Sequence, residues 1–438
     1  MKKFFGTISL SLFSLIALHA QQTLLSLEDA IAQALENNYD IRLSRNDSAV
    51  AALDYSFRNA AFLPRLNANA GQAWNNNDQK QEFADGTKRE RNGVKSNTLT
   101  ASLSLNWTLF DGMKMFVIRD KAEEFVKLGE LAIKNQVVNT VAMVITNYYS
   151  IVRQQQQLKA IQEQMSLNEE RVKLAQYKLD IGVGAKPDVL QSKVDLNAQR
   201  SAILTQETLI TQLKQQLNQL TGSTRTDYAV SDSIPVDFGI VLGDIQQNLE
   251  QSNPLLQINK KNIDIAQLTL KERKADRFPI LGFNSNYNFN RTDNKAVVNP
   301  FQPLFSRNRG LNYGLTATIP ILNNYNTKRL IKQAELDIDY QKLVYENQRS
   351  LINLSVINAW KEYEQQKKAL DLEEANILLA KENVDIVFQT YKLGAATFIQ
   401  LREAQKSLED AYNRLIAARY NTKVAETELL RLKGDLVR

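Results

Sequence analysis

From Lys114 to Ile181 the chain contains no proline and a single glycine, Gly129. Read as one helix at 1.5 Å per residue, this stretch makes a rod of roughly 100 Å. Helices in globular domains average three to four turns, so an ordinary compact fold has no use for such a rod. It ends in Gly182-Val183-Gly184-Ala185-Lys186-Pro187-Asp188, where glycine suits the residue after a helix, and proline and aspartate suit the first turn of the next. A second helix then runs to Leu220, and Gly222 stops it.

The same plan returns further along the chain. A long helix from about Lys328 to Lys392 breaks at Gly394, and a last helix reaches Leu432. Gly182 and Gly394, Gly222 and Gly434, and Ala122 and Ala334 are each separated by 212 positions, whereas Asn38 and Asn253, and Pro64 and Pro279, are separated by 215. The chain is internally duplicated, and the three-residue difference falls between paired strands, where loops tolerate length change. Heptad positions keep the same offset: Val189, Leu196, Ile203, Ile210 and Leu217 match Leu401, Leu408, Leu415, Thr422 and Leu429. In the second half Ala404, Ala411, Ala418, Ala425 and Leu432 complete the seam, whose alanines suit close coiled-coil packing.

Each half also carries two stretches with a period of two. Leu99, Ala101, Leu103, Leu105, Trp107 and Leu109 alternate with Thr100, Ser102, Ser104, Asn106 and Thr108. Leu311, Tyr313, Leu315, Ala317, Ile319 and Ile321 alternate with polar, glycine or proline positions, and Leu281, Phe283, Tyr287 and Phe289 with asparagines. Leu66, Ala68, Ala70 and Trp74 make a weaker fourth set. Strands are expected at about 66–75, 98–110, 280–290 and 310–321, with long polar loops over Asn75–Asn97 and Arg291–Arg309. Such strands are about the length of a tilted transmembrane β-strand with one face in lipid and one in water. Leu99, Leu103, Leu105, Trp107, Leu315 and Ile319 are the expected lipid-facing residues.

A mean hydropathy of −0.36, with no long apolar run beyond the N-terminus, argues against helical membrane spans, so membrane contact falls to the strands. Met1 to Ala20 reads as a signal peptide, with Lys2 and Lys3 ahead of an apolar run and Leu18-His19-Ala20 as the cleavage site. The remainder divides into a first repeat over 21–222 (strands plus the helix pair 114–221), a linker over 223–243 and a second repeat over 244–438 (strands plus the helix pair 328–432). An amphipathic helix is expected from Ser26 to about Phe62, with a break at Asn38-Tyr39.

The chain has no cysteine, and its single histidine, His19, leaves with the signal peptide. Without thiolate or imidazole there is no Ser-His or Cys-His nucleophile pair and no metal set built on those ligands, so an enzyme is not expected, nor a cofactor or metal. The formal charge of +6 falls with Lys2 and Lys3, and the remaining basic residues are interspersed with acidic ones, which leaves no nucleic-acid footprint. Four strands cannot close a membrane barrel, since the smallest have about 8 and an open edge in lipid leaves backbone groups unpaired. Three chains pooling strands give about 12 and an aqueous lumen, which predicts a homotrimer.

In the order "FLPRL" (Phe62–Leu66), "LFDG" (Leu109–Gly112), "IGVGAKPDVLQSK" (Ile181–Lys193), "RFPIL" (Arg277–Leu281) and "YKLGAATFIQLREAQ" (Tyr391–Gln405), the chain resembles the TolC-like outer membrane factor family over its whole mature length. The resemblance implies a 12-stranded trimeric barrel in the outer membrane of a Gram-negative bacterium, a periplasmic α-barrel closed at its tip, and an equatorial region to which the linker is assigned. It implies a passive exit duct of a tripartite efflux or type I secretion system, partnered by a periplasmic adaptor, an inner-membrane transporter and outer membrane lipid. Adaptor docking then falls on the hairpin tips Gly182, Val183, Gly184, Ala185 and Lys186, and Lys392, Gly394, Ala395, Ala396 and Thr397. The family's acidic aperture maps to Gln400 and Glu403, of which one keeps its carboxylate. Asp188, in the equivalent place of the first half, reads as a lock between helices or as the N-cap of its own helix, and capping is favoured. The alternative is an exported coiled-coil scaffold without channel activity, which explains the helices but not the alternation in all four strands.

Overall fold

The computed structural model describes residues 23–225 and 227–436, so the expected signal peptide lies outside the described residues. The elements in chain order are β1 (Thr23–Leu25), α1 (Leu27–Asn37), α2 (Tyr39–Ser56), β2 (Arg65–Glu82), β3 (Lys88–Phe110), α3 (Lys114–Asp180), α4 (Lys186–Thr221), β4 (Tyr228–Val230), α5 (Leu242–Ser252), α6 (Pro254–Ala275), β5 (Ile280–Asn294), β6 (Phe305–Thr318), α7 (Asn326–Lys392) and α8 (Phe398–Lys433). The helix expected to reach Phe62 stops instead at Ser56, and a single 3-10 turn covers Ala60–Phe62 ahead of Pro64. Among the described residues no helix is long and apolar enough to cross a membrane.

The duplication holds at the level of individual hydrogen bonds. α3 and α7 have 67 residues each, and α4 and α8 have 36 each. Asn38 accepts from the amides of Asp40 and Ile41 and donates through Nδ2 to the carbonyl of Leu220 at 2.9 Å. Asn253 accepts from Leu255 and Leu256 and donates to Leu432 at 2.8 Å. Each asparagine caps the helix that follows it and satisfies a carbonyl that the end of α4 or α8 would leave orphaned. Gly222 and Gly434 close those ends in the left-handed conformation; a Cβ would lie 2.7 Å from Asn37 at the first and 2.5 Å from the Ser252 carbonyl at the second.

The strands form one antiparallel sheet in the order β2-β3-β5-β6, whose register explains the alternation. Leu66 pairs with Leu105 and Ala68 with Leu103; Leu103 faces Tyr287 across the next rung, and Tyr287 faces Leu311. Trp107, Phe283 and Leu315 share another rung. Cross-strand partners point to the same face, so one face is leucine and aromatic while the other holds Asn67, Ser104, Asn286, Asn312 and their neighbours. Leu99, Leu103, Trp107 and Leu315 are exposed on the apolar face, and Leu105 on that face is half-buried.

Three expectations about the sheet need correction. The polar segments assigned to loops continue the strands: β2 reaches Glu82 and β3 restarts at Lys88, leaving a turn of only Phe83–Thr87, while β5 runs to Asn294 and β6 begins at Phe305. A hairpin polar on both faces has no apolar face to alternate, so its strands carry no period-two signal. Ile319 lies outside the ladder, because β6 ends at Thr318, two residues before Pro320, which has no N–H to donate. Leu109 is the extra residue of a bulge between Thr108 and Phe110 and interrupts the alternation there.

The segment read as a linker is packed rather than free. β4 lies parallel to β1, with Leu24 opposite Ala229, and Tyr228, Val230 and Ile234 join Val141, Tyr148 and Leu217 in a buried cluster. Tyr148 donates to the Leu25 carbonyl and accepts from the Ser231 amide, tying the two short strands to α3. Three residues per strand are too few for a periodicity signal, which is why the sequence conceals this small sheet.

Candidate functional site

The site is the end of the two helical hairpins opposite the sheet. Both long helices finish in the same way. The amide of Val183 donates to the Lys178 carbonyl at 2.9 Å with Gly182 at φ +79°; the amide of Ala395 donates to Thr390 at 2.9 Å with Gly394 at φ +81°. These are glycine-dependent helix ends, and they turn the chain back on itself within a few residues. Gly184 is needed for a different reason: a Cβ there would sit 2.7 Å from the backbone of Lys178 and Leu179.

The restarts differ. α8 opens with a capping box, in which the Thr397 hydroxyl accepts from the Gln400 amide and the Gln400 side chain accepts from the Thr397 amide at 2.8 Å. The N-cap position of α4 is Ala185, which offers no side-chain cap, so Asp188 is not the N-cap. It stands in the first helical turn, two positions after Lys186 and directly after Pro187, where proline has already fixed the entry and a carboxylate favours the helix dipole.

The tip loops expose apolar side chains, of which the expected docking set included Val183 and passed over Ile181 and Leu393. Ile181, Val183 and Leu393 are exposed, Leu393 at 85%, beside the glycines; Ala396 instead packs into the cluster of Phe388, Tyr391, Phe398 and Leu401. An apolar residue next to a left-handed glycine was the available signal, since such a position has no core to enter. The two tips are joined by Lys178, which donates to the carbonyl of Tyr391 and lies 3.9 Å from its ring centroid. Burial and the nearby Asp188 carboxylate push the Tyr391 hydroxyl above its usual range, with Arg171 opposing them.

About two to three turns from the tips lies a polar core that no sequence motif announced. Arg171 of α3 is almost fully buried; it donates through Nη2 to Asp195 of α4 at 2.6 Å and through Nη1 to Gln405 of α8 at 2.6 Å. Arg402 of α8 also donates to Asp195, at 3.2 Å. Three helices therefore meet on one ion cluster. Burial pulls the Arg171 guanidinium below its ordinary value, with Asp195 opposing. Around it lies a cavity of about 410 Å³ lined by both hairpins, including Gln164, Asn168, Gln199, Glu403 and Lys406. Among the described residues, five of the eight buried side-chain polar atoms without a partner belong to its walls: Gln164 Nε2, Asn168 Oδ1, Arg171 Nε, Gln199 Oε1 and Gln405 Nε2. A cavity this polar and this large is a place for water.

The expected aperture residues are thus separated. Gln400 is spent on the helix cap, Glu403 is exposed at the cavity wall with no ion pair among the described residues, and Asp188 is not part of the cavity lining.

Known proteins share this architecture. The chain matches the family described as outer membrane efflux protein over residues 30–223 and 245–435, one block in each half. It is 22% identical over 430 residues to the outer membrane protein TolC of Vibrio cholerae, covering 94% of this chain and 91% of that protein. It is 23% identical over 440 residues to the alkaline protease secretion protein AprF of Pseudomonas aeruginosa, covering 94% and 87%. The fold is that of the outer membrane protein VceC of Vibrio cholerae, with a TM-score of 0.75 at 13% identity over 93% of this chain and 96% of that one. The chain belongs to the outer membrane efflux protein family and is a channel of the outer membrane serving efflux or secretion.

Proposed function

We propose that three copies of this chain close their sheets edge to edge into a 12-stranded barrel and their hairpins into a hollow helical trunk, forming a passive duct that does no chemistry of its own. The supporting observation is the sheet register. One face is apolar across all four strands, the other is asparagine, serine, threonine and glycine, and the outer edges of β2 and β6 have no partner among the described residues. An unpaired edge in hydrocarbon costs several kcal/mol per group, which pooling of strands removes. The hairpin tips, with exposed Ile181, Val183 and Leu393 around Gly182 and Gly394, are the docking surface for a periplasmic adaptor that links the duct to an inner-membrane transporter. Three copies of Glu403 about the threefold axis line the narrow end, and a ring of carboxylates there favours cations.

The test is directional. Leu103→Arg should lower stability by about 2–4 kcal/mol and deplete the heat-modifiable trimer in outer membrane fractions, whereas Ser104→Arg should leave insertion intact. Equal tolerance on the two faces overturns the barrel. Gly394→Trp should abolish export while sparing the trimer, and Glu403→Gln should shift the reversal potential of reconstituted channels in a salt gradient. An unchanged potential places the constriction elsewhere.

A further inference from the structure

The apolar face of the sheet ends in arginine. Ile280 to Phe289 is ten residues, which at about 3.3 Å each and a tilt of about 40° spans about 25 Å, the height of the apolar band of a membrane barrel. On the rungs at and just beyond Phe289, the same face carries Arg309 opposite Phe289, and Arg291 opposite Arg307. Lys95 occupies that face of β3, opposite Asn76. The inner face of the same rungs is uncharged, with Asn290 opposite Asn308 and Thr292 opposite Ser306.

Two features of this group ask for an anion. Like charges directly opposite one another on a sheet destabilise it, and Arg291 and Arg307 are such a pair. Among the described residues the only carboxylate on this face nearby, Asp293, is taken by Arg291 at 2.9 Å, and the Arg291 guanidinium also lies 5.4 Å from the centroid of the Phe305 ring. Arg307 and Arg309 are exposed and have neither a hydrogen bond nor an ion pair through their side chains among the described residues. The cations sit outside the wall and not inside it, so they do not serve to attract cargo into the lumen. They stand where hydrocarbon gives way to headgroups, at the end of the sheet remote from the helices.

We propose that Arg291, Arg307 and Arg309 form a binding site for the phosphate monoesters of an outer-leaflet glycolipid, with Phe289 and Leu311 on the same face receiving its acyl chains. Guanidinium forks match phosphate oxygens in geometry as well as charge, and a phosphate lying between Arg291 and Arg307 removes the repulsion of the pair. The site rests on the reading that this sheet lies in the outer membrane.

The test uses the full-length trimer and the triple variant Arg291→Gln, Arg307→Gln, Arg309→Gln, each reconstituted in vesicles containing bisphosphorylated lipid A, enzymatically dephosphorylated lipid A, or neither. Retention of the bisphosphorylated lipid by the wild type should exceed that of the dephosphorylated form, and the variant should lose about fivefold per arginine, on the order of a hundredfold in all. Wild-type thermal stability should rise with bisphosphorylated lipid and not with millimolar inorganic phosphate. Equal retention by variant and wild type, equal retention of both lipid forms, or full stabilisation by free phosphate each overturns the site. Recovery of both proteins as heat-modifiable trimers from outer membranes measures the channel reading separately; failure there overturns that reading and the site with it.

Discussion

α4 and α8 are copies of one ancestral helix, equal in length and matched residue for residue, yet they live in different surroundings. Beside the shared heptad leucines, α8 carries a second stripe of Ala404, Ala411, Ala418 and Ala425, all buried against its neighbours α3 and α7. The same positions of α4 are Ser192, Gln199, Gln206 and Leu213. Of the large apolar residues of α8 only Ile399, at its start, is exposed, whereas α4 exposes Leu190, Val194, Leu204 and Leu209. α8 is the interior helix of the protomer, and small side chains let α3 and α7 approach it from both sides. α4 lies at one flank, with an exposed apolar stripe and with polar residues toward the wet cavity. Duplication supplied two equivalent hairpins, and side-chain volume at one stripe made one of them central.

The strongest way to break this comparison is to exchange the stripe. Ala411→Gln should destabilise by about 3 kcal/mol or more, because it adds both volume and an unpaired amide to a closed site, and Gln199→Ala should cost less than about 0.5 kcal/mol. Denaturant midpoints of the two variants decide it, and similar losses would mean the helices are not differently packed. Next in size is the ion cluster that fastens the peripheral hairpin to α8. Arg171→Met should cost about 2 kcal/mol, less than a fully buried pair, since Asp195 keeps Arg402 and reaches solvent. Pairing it with Asp195→Asn in a double-mutant cycle should give a coupling well above experimental error.

The tips sharpen the comparison from the side of similarity. Gly182→Ala and Gly394→Ala should each cost about 1 kcal/mol from backbone conformation alone, because nothing lies within 4 Å of either added Cβ. Unequal losses would show that one tip is strained or braced in a way the other is not. The smallest effect is at Glu124 of α3, whose counterpart in α7 is Leu336. Burial disfavours the Glu124 carboxylate, but Lys261 at 2.7 Å and Lys127 at 2.9 Å outweigh it and hold its pKa below the usual range. A depressed carboxyl contributes stability that is complete above the unfolded value, about 4.3, and is lost as pH falls through the folded value. Glu124→Gln should therefore lose a few tenths of a kcal/mol at pH 7, with the gap closing below about pH 4 in a pH series of thermal midpoints.

Helix lengths, helix breaks, the duplication and the two faces of the sheet were legible in the sequence because each is a long, regular signal. Sixty-seven residues without proline, glycines 212 positions apart and alternation over ten residues are properties of the chain before it folds. What stayed hidden was local or relational. The polar ends of the hairpins lack a buried face and so lack a period, Asp188 is displaced from the cap by Ala185, and the three residues of β1 become a strand only where β4 lies beside them. Arg171, Asp195 and Gln405 come from three helices, separated by 24 and 234 positions from Arg171, and nothing local marks them as partners. The pattern of burial along one helix is written in its sequence by hydrophobic period; which helix fills the neighbouring groove, and which polar atoms meet there, is decided by the tertiary packing, because coordination of a buried charge is a property of the space between helices and not of any one helix alone.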